Sequence, residues 1–564
     1  MQRNIFSPQL SHVSNDTLST FFLRIAQIIF GGVMVLLPVW FVPESYLALG
    51  LMKTMFVVAG VYGALLCAAL ALLRSGKIAL HLPLPLIFFW LFALGTVLSA
   101  YLSGDAYDAV LGVTFEVFTA GFTVLLAVVM TLGLLFVNER VSMQRLVCAL
   151  TVALVSVCVV TIARWFFDIP FLTSGVFSTT SQTIVGSLND LAIYAGLVLV
   201  ITVVAVHRLP TGLWSRVALL AVVLFALFIL AAVNFAFLWI VLSLLSVVAF
   251  LFLIARDTWL RSEHETTATV PRFCLGIVAL ICVVSGSFVV SGDALGQRIN
   301  SVTGLNYVEV RPSFTATLDV AKAVYQENVL WGVGANHFAD AWRVHKDPVI
   351  MGTQFWNTDF QSGNSYVTTI AITTGLLGMV FFAAFLIFLF RTAYQLFFFS
   401  RALARDSEWY DVGLFATAAT VYLWGVAFWY TPGQGMFLLT ALFTGLTLAV
   451  SQSVQRVPVR TVNVAYSRQH GLLLVAAALC VIVGSTVLFI NLQQTYAAQK
   501  DLARGYYAFA MTGDVIAYDA VLSTAADALP HQDLYPAERA RLRLYELNQL
   551  ITIAEPTAEE RDRF

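Results

Sequence analysis

Long apolar segments separated by short polar stretches run along almost the whole chain. Each is roughly 20 residues long, which is the length an α-helix needs to cross about 30 Å of hydrocarbon. The pattern therefore predicts an all-α polytopic membrane protein with about 13 transmembrane helices. These segments begin near residues 19, 48, 82, 110, 142, 187, 213, 235, 271, 366, 409, 434 and 471.

The apolar stretch from residue 213 to 255 is too long for a single crossing. Apart from Arg216 at its start, its one strongly polar side chain is Asn234, which lies near the middle. We expect two antiparallel helices joined by a tight turn at this residue.

Basic residues predict the orientation, because Lys and Arg near helix ends are retained on the cytoplasmic side. The loops around residues 74–77, 140–145, 208–216, 256–272, 391–405 and 456–468 carry them, whereas the opposite short loops at 103–105 and 431–433 do not. The N-terminus, residues 1–18, is then cytoplasmic, and residues 19–493 form the transmembrane domain. A large external loop, residues 292–365, lies between helices nine and ten, and an external C-terminal tail covers residues 494–564.

Composition excludes several classes of protein. Hydrophobic residues make up 59% of the chain and charged residues 11%, outside the range of a soluble domain. A net charge of −1 argues against a nucleic-acid partner. All six cysteines fall inside predicted helices, and no His or carboxylate cluster has metal-site spacing. We expect no cofactor and a metal-independent mechanism.

The C-terminal tail has a helical period from Ala498 to Met511 and again from Val515 to Leu529, with Gly513 between them and Pro530 after them. This predicts a small α-helical domain whose hairpin is similar to one tetratricopeptide unit, although a plain helical appendage fits the same pattern. A single unit cannot bury both its faces. The tail must therefore dock on the membrane domain, on further repeats or on a protein partner.

Polar side chains within the predicted spans are few, and they lie toward the external ends. They are Glu116, Arg164, Asn189 and Asp190. Each one taken singly could also snorkel or bond to a neighbouring helix. Because an ion-coupled transporter would place such groups near the midplane, their distribution favours a site that opens outward.

The external loop and its flanks carry a set of short motifs. Arg298 and Arg311-Pro312 precede a helical run, Trp331-Gly332-Val333-Gly334 follows it, and Asn364-Ser365-Tyr366 leads into Gly375-Leu376-Leu377-Gly378. Upstream, residues 186–194 begin with Gly186-Ser187-Leu188-Asn189-Asp190. In order and topology these motifs resemble the O-antigen ligase and polymerase superfamily over most of residues 20–450.

The resemblance implies a membrane glycosyltransferase in the bacterial cytoplasmic membrane. Such an enzyme moves a glycan from a polyprenyl diphosphate to an acceptor hydroxyl on a lipid, a glycan or a protein. A departing diphosphate needs fixed positive charge, and guanidinium groups bind phosphate oxygens bidentately. Arg311 and Arg298 are the expected diphosphate ligands, with Arg164 as a third candidate that could project into the same space.

Two positions depart from the family pattern. Family enzymes usually carry a His where this chain has Asn364, and an amide can orient a hydroxyl but cannot take its proton. The family's Ser-Arg pair corresponds to Asn234-Phe235. His337 or His345 could compensate for the missing base, although His337 also fits a structural role in a Gly-rich turn.

Other features of the loop allow more than one role. Gly332-x-Gly334 predicts a tight turn and not a nucleotide loop. The aromatic side chains around Trp356 could stack on sugars or lie at the membrane interface. Asn189 and Asn364 could contact the acceptor.

Three functions remain possible from the sequence. The first is an active transferase that uses Arg298 and Arg311 on the diphosphate and Asn364 on the acceptor. The second is a non-catalytic relative that binds lipid-linked glycan, or scaffolds glycan assembly through a protein partner on the tail. The third is an exporter of lipid-linked glycan.

Overall fold

The computed structural model describes residues 17–42, 48–79, 82–136, 140–167, 182–208, 212–263, 272–305, 309–399, 407–455, 461–463 and 468–552. Within these residues, twelve helices are long and apolar enough to cross a membrane. The protein is therefore an all-α polytopic membrane protein, as predicted. The twelve helices are α1 (Thr17–Leu36), α2 (Leu49–Ser75), α3 (Leu84–Leu102), α6 (Arg140–Phe167), α7 (Leu188–Arg208), α8 (Leu213–Val233), α9 (Ala236–Glu263), α10 (Arg272–Thr303), α13 (Tyr366–Tyr394), α14 (Ser407–Trp429), α15 (Gln434–Gln455) and α16 (Arg468–Thr512).

Shorter elements complete the described structure. They are α4 (Ala106–Leu111), α5 (Ala120–Phe136), α11 (Phe314–Glu327), α12 (Phe338–His345), a 3₁₀ helix (Pro348–Gly352), a π-helical turn (Gln395–Phe399), α17 (Val515–Ala528) and α18 (Leu534–Thr552). Two short strands, β1 (Lys77–Ala79) and β2 (Thr461–Asn463), pair antiparallel. The apolar pattern did not predict these strands. We call the end of the helix bundle that carries residues 309–365 the loop end.

The apolar segment predicted to begin near residue 110 has a more complex start. The chain forms α4, turns through residues 112–119, and only then enters α5, which has 17 residues. Glu116 therefore lies in the turn before the helix and not within a span. The turn is held in an uncommon conformation, because Phe115 has a φ of +55°.

The turn between α8 and α9 is the tight turn that the sequence predicted. Asn234 adopts the left-handed conformation, with φ +50° and ψ +48°, and its backbone N–H closes α8 on the Leu230 carbonyl. Its side-chain amide donates to the Gly292 carbonyl of α10 at 3.0 Å. Gly296 has no room for a Cβ, which would lie 2.1 Å from Asn234 Nδ2.

Helix α13 is broken at Gly375, whose φ is +61°. The break frees main-chain groups, and the Gly-rich turn after α11 pairs with them. Val333 and Gly334 donate to the carbonyls before the break, Ile372 and Thr373, and Leu376 donates back to Val329. The helix break and the turn together form one main-chain joint, which fixes the loop on the bundle.

The glycines at this joint cannot be replaced by a residue with a Cβ without a steric clash. Gly332 has a φ of +67°, and a Cβ on it would lie 2.2 Å from the Ile372 carbonyl oxygen. A Cβ on Gly375 would lie 2.6 Å from the Gly332 nitrogen. Ser99 of α3 caps the joint by donating to the Trp331 carbonyl at 2.8 Å. The predicted tight turn at Gly332-x-Gly334 is confirmed.

Helices α5 and α15 pack with main chains almost in contact. A Cβ on Gly445 would lie 2.6 Å from the Met130 carbonyl oxygen and 3.2 Å from the Cα of Gly133. Small residues allow this approach, which is a common device for packing helices in membranes. At the start of α15, Gln434 donates to the carbonyls of Thr114 and Phe115 at 3.0 and 2.7 Å.

The tail continues directly from α16, which is 45 residues long. Gly513, with a φ of +70°, turns the chain into α17, and α18 packs back against it. Gln532 in the connection is buried and donates to the Gly112 carbonyl at 3.1 Å. The ring of His531 lies 5.4 Å from that of Tyr107. Of the alternatives considered for the tail, the described residues show docking on the membrane domain beside α4.

Candidate functional site

Arg311 lies at the loop end among three elements far apart in sequence. Its Nε is 3.2 Å from the Glu309 carboxylate, and its guanidinium carbon lies 3.9 Å from the centre of the Tyr430 ring. Its Nη1 donates to the Asn364 carbonyl at 3.3 Å. Among the described residues, no side chain or carbonyl accepts from Nη2. The side chain is 21% exposed, so a ligand can reach its outer edge.

Glu309 connects the members of this cluster. Besides the ion pair with Arg311, its carboxylate accepts from the Tyr430 hydroxyl at 3.0 Å and from the Asn189 side-chain amide. Burial, followed by the nearby carboxylates of Asp190 and Glu309, raises the pKa of Tyr430. The phenol therefore stays protonated at neutral pH and remains a donor. We call Asn189, Glu309, Arg311, Asn364 and Tyr430 the Arg311 cluster.

Helix ends position the members of the cluster. Asn189 lies in the first turn of α7, and its neighbour Asp190 accepts from the Gly433 backbone N–H at 2.8 Å. That bond holds residues 431–433, which begin directly after Tyr430 at the end of α14. Phe235 packs its ring 5.1 Å from Tyr430. The position where the resemblance would place a second arginine therefore adjoins the cluster, but it contributes only an apolar contact.

Asn364 acts mainly through its main chain. Its carbonyl accepts from Arg311, and its N–H donates to the Thr317 hydroxyl of α11 at 3.0 Å. Its side-chain amide makes a long bond of 3.4 Å to the Pro312 carbonyl. Ser365 then begins α13 with a capping box in which Thr368 is the partner. In this arrangement Asn364 holds the arginine segment against the start of α13.

A cavity of about 550 Å³ adjoins the cluster. Its wall includes Ser187 and Asp190 from the start of α7, the residues after Tyr430, and Gln361 and Ser362 just before Asn364. No Lys, Arg or His is among the lining residues. The complete lining is Val42, Leu49, Gly50, Met52, Thr114, Glu116, Val117, Phe118, Gln182, Thr183, Val185, Gly186, Ser187, Asp190, Gln361, Ser362, Thr431, Pro432, Gly433, Gln434 and Gly435.

Glu116 is the most unusual residue of the cavity wall. One carboxyl oxygen accepts from the backbone N–H and the hydroxyl of Thr114, at 2.9 and 3.0 Å. The other oxygen is buried without a hydrogen-bond partner among the described residues, as is the hydroxyl of Thr431. Burial raises the pKa of the Glu116 carboxyl. Its protonated form therefore persists to a higher pH than usual.

The structure brings some predicted site residues together and leaves others apart. Arg311, Asn364 and Asn189 belong to the cluster. Arg164 donates to the Gln182 carbonyl at 2.6 Å and so supports the cavity wall. Arg298 is exposed on the last turns of α10, and no side-chain contact within the described residues joins it to Arg311.

The two histidines and Trp356 lie outside the Arg311 cluster. His337 Nδ1 is 2.7 Å from the Ala335 carbonyl, in the turn that starts α12. His345 is 3.6 Å from Glu327, where α11 and α12 end. Trp356 is 55% exposed, and its carbonyl accepts from Lys346. Of the predicted site residues, Arg311 thus has the most convergent surroundings.

Glu309 and Tyr430 were not predicted as site residues from the sequence. They are separated by 121 residues, and neither belongs to one of the motifs recognised in the sequence. The one available signal for Glu309 was its position two residues before Arg311. The chain matches no protein-family model, and no curated protein sequence matches it.

Proposed function

We propose that this chain is a membrane glycosyltransferase of the O-antigen ligase type. It would move a glycan from a polyprenyl diphosphate carrier to an acceptor hydroxyl at the loop end. The observation that carries the proposal is the guanidinium of Arg311, which is half-buried, stacked on Tyr430 and still provided with an unused amino group.

Arg311 would bind the diphosphate and stabilise the charge that develops on it as the bond to the sugar breaks. Glu309 and the Tyr430 ring orient the guanidinium before the ligand arrives. Such preorganisation lowers the barrier because these groups need not rearrange during the reaction. The position at the ends of several apolar helices suits a substrate whose lipid part stays in the membrane.

Asn364 would serve as a positioning residue in this scheme. Its carbonyl accepts from Arg311 and its main chain is tied to α11, so it sets the distance between the arginine and the start of α13. An amide cannot take a proton from the acceptor hydroxyl. The proposal therefore assigns Asn364 no proton transfer.

A specific observation favours a second candidate, a non-catalytic protein that binds lipid-linked glycan. Arg311 is already paired with a carboxylate, and no histidine belongs to its cluster. Such a protein would bind the diphosphate without breaking the bond to the sugar.

The test uses purified protein in nanodiscs with polyprenyl-diphosphate glycan from the source cells and envelope acceptors. Release of free polyprenyl diphosphate is measured for the wild type, Arg311→Ala and Arg343→Ala. Arg343 is a matched control, because it lies in the same loop but pairs with Asp340 and Asp359. We expect Arg311→Ala to lower release about 100-fold or more, and Arg343→Ala to leave it unchanged.

Two other outcomes would change the assignment. Arg311-dependent binding of the lipid-linked glycan without any release supports the second candidate. Equal release in the wild type and Arg311→Ala contradicts the proposed role of the cluster.

A further inference from the structure

The cavity beside the Arg311 cluster has a wall that suits a particular kind of ligand. Its volume of about 550 Å³ lies within the range of small-molecule sites, roughly 300–1,000 Å³. Apolar side chains such as Phe118 and Pro432 alternate with amides and hydroxyls along the wall. This mixture can contact both the C–H groups and the hydroxyls of a ligand.

Several hydrogen-bonding groups of the wall are unused. Among the described residues, the Thr431 hydroxyl and one oxygen of Glu116 are buried without a hydrogen-bond partner. Gln361, which is exposed, and Ser362, which is half-buried, add neutral donors and acceptors to the same wall. Because a buried polar group without a partner costs free energy, the Thr431 hydroxyl and the Glu116 oxygen in one cavity point to a ligand that pairs with them.

The charged groups in the cavity wall limit the class of ligand that the cavity can bind. The wall contains two carboxyl groups, Asp190 and Glu116, and no cationic side chain. A phosphate group in the cavity would meet like charge, so the diphosphate belongs at Arg311 and not here. A neutral ligand with many hydroxyls meets no such penalty.

The position of Glu116 is fixed by its surroundings. Phe115 before it is buried with a φ of +55°, a left-handed conformation that an L-residue other than Gly adopts only at a cost in free energy. Gln434 of α15 holds the carbonyls of Thr114 and Phe115. Strain that is held in place in this way is a feature of functional sites.

We propose that this cavity is a binding site for a neutral, hydroxyl-rich sugar unit, with Glu116, Gln361 and Thr431 as hydrogen-bonding partners. The site deepens the proposed function and rests on it for the source of the sugar, which belongs either to the carried glycan or to the acceptor. The donor's diphosphate would lie at Arg311, and the sugar would extend past residues 431–433 into the cavity.

The test uses the full chain in nanodiscs and measures binding by saturation-transfer NMR. One arm uses the neutral oligosaccharide released from the cells' lipid-linked glycan by mild acid, and a second uses the neutral oligosaccharide of the envelope acceptor. Inorganic pyrophosphate, which has no C–H protons, is the third probe and is followed by ³¹P NMR. The arm that shows binding identifies the source of the sugar.

Gln361→Trp fills the cavity from the loop side, and Gln354→Trp places the same change on an exposed part of the same loop. We expect Gln361→Trp to weaken oligosaccharide binding at least tenfold, while pyrophosphate binding stays within about twofold. Gln354→Trp should change neither. Thr431→Val, which removes a hydroxyl at nearly constant volume, should weaken oligosaccharide binding about fivefold.

The proposal is overturned if neither oligosaccharide binds, or if binding is the same in the wild type, Gln361→Trp and Thr431→Val. It is also overturned if pyrophosphate binding falls with these variants, since the cavity would then be the anion site. The assay contains neither carrier lipid nor a transfer step. A failure of the transferase proposal therefore appears in the Arg311→Ala release assay, and a failure of the sugar site appears here.

Discussion

The Arg311 cluster and the tail both pair arginine with a carboxylate, but the two pairs differ in their surroundings. In the tail, Asp519 accepts from Arg539 through two nitrogens, at 2.9 and 3.3 Å, and from Arg543 at 2.7 Å. Arg543 also donates to Glu546. These bonds satisfy the Asp519 carboxylate and hold α17 against α18.

At the loop end the ion pair joins segments that are far apart in sequence and lies beside the cavity. Glu309 is saturated by Asn189, Tyr430 and Arg311, whereas Arg311 keeps an amino group without a partner among the described residues. The carboxylate orients the arginine and leaves part of it available. The ion pair beside the cavity is suited to a ligand site, whereas the pair between two adjacent tail helices is suited to a structural role.

The largest effect is expected from replacing one glycine with a positive φ in each region. Gly332→Ala should prevent the loop from packing against α13, because the new Cβ would lie 2.2 Å from the Ile372 carbonyl oxygen. Gly513→Ala meets no atom within 4 Å and should cost only about 1–2 kcal/mol for its positive φ. Thermal unfolding and size-exclusion profiles of the purified variants measure both effects. Equal losses of stability in the two variants would show that the joint does not hold the loop on the helix bundle.

A smaller effect is expected from neutralising each carboxylate. Glu309→Gln removes the negative charge that competes with an anion for Arg311, so pyrophosphate should bind about threefold to tenfold more tightly. Asp519→Asn should leave pyrophosphate binding unchanged. Titration followed by ³¹P NMR makes the comparison. Unchanged or weaker binding in Glu309→Gln would mean that the orienting role of the carboxylate outweighs its charge.

The smallest effect concerns the pH dependence of the tail. Hydrogen bonds from Arg539 hold the pKa of Asp519 below its ordinary value. The stability it contributes is therefore fully present above the unfolded pKa, near 3.9, and is lost as pH falls through the lower folded pKa. Because these groups are partly exposed, we expect less than about 1 kcal/mol.

Hydrogen exchange in α17 and α18 measures that pH dependence. Protection in the wild type, corrected for intrinsic rates, should stay constant from pH 7 to 5 and fall only below about pH 4. Asp519→Asn should lower protection at pH 7 and remove this acid step. A decline beginning near pH 6 in the wild type would assign the effect to another group.

The helical architecture could be predicted from the sequence, because span length and apolar content follow directly from bilayer thickness. The turn at Asn234 and the break between the tail helices at Gly513 were likewise predicted from local residues, and the structure confirms both. The start of the fourth apolar segment was not predicted correctly. Its residues 112–119 are apolar enough to look helical, and only contacts with α15 reveal the turn.

The candidate site was predictable only in part. Arg311 stood out in the sequence, and the structure makes it the centre of a cluster. Its partners Glu309 and Tyr430 did not stand out, because their proximity depends on how α7, α14 and the loop pack together. Distances of that kind arise from tertiary packing and leave no periodic signal in a single chain.

Main-chain atoms hold the loop to the broken helix α13, so the hydrogen bonds across that joint do not depend on the identity of its side chains. The joint does require Gly332 and Gly375, where a Cβ would clash, and a fixed number of residues between them. Homologous proteins could diverge until their sequences no longer align, while the loop still carries its arginine to the same place. Relatives of this chain are therefore better sought by the spacing of these glycines from Arg311 than by overall identity.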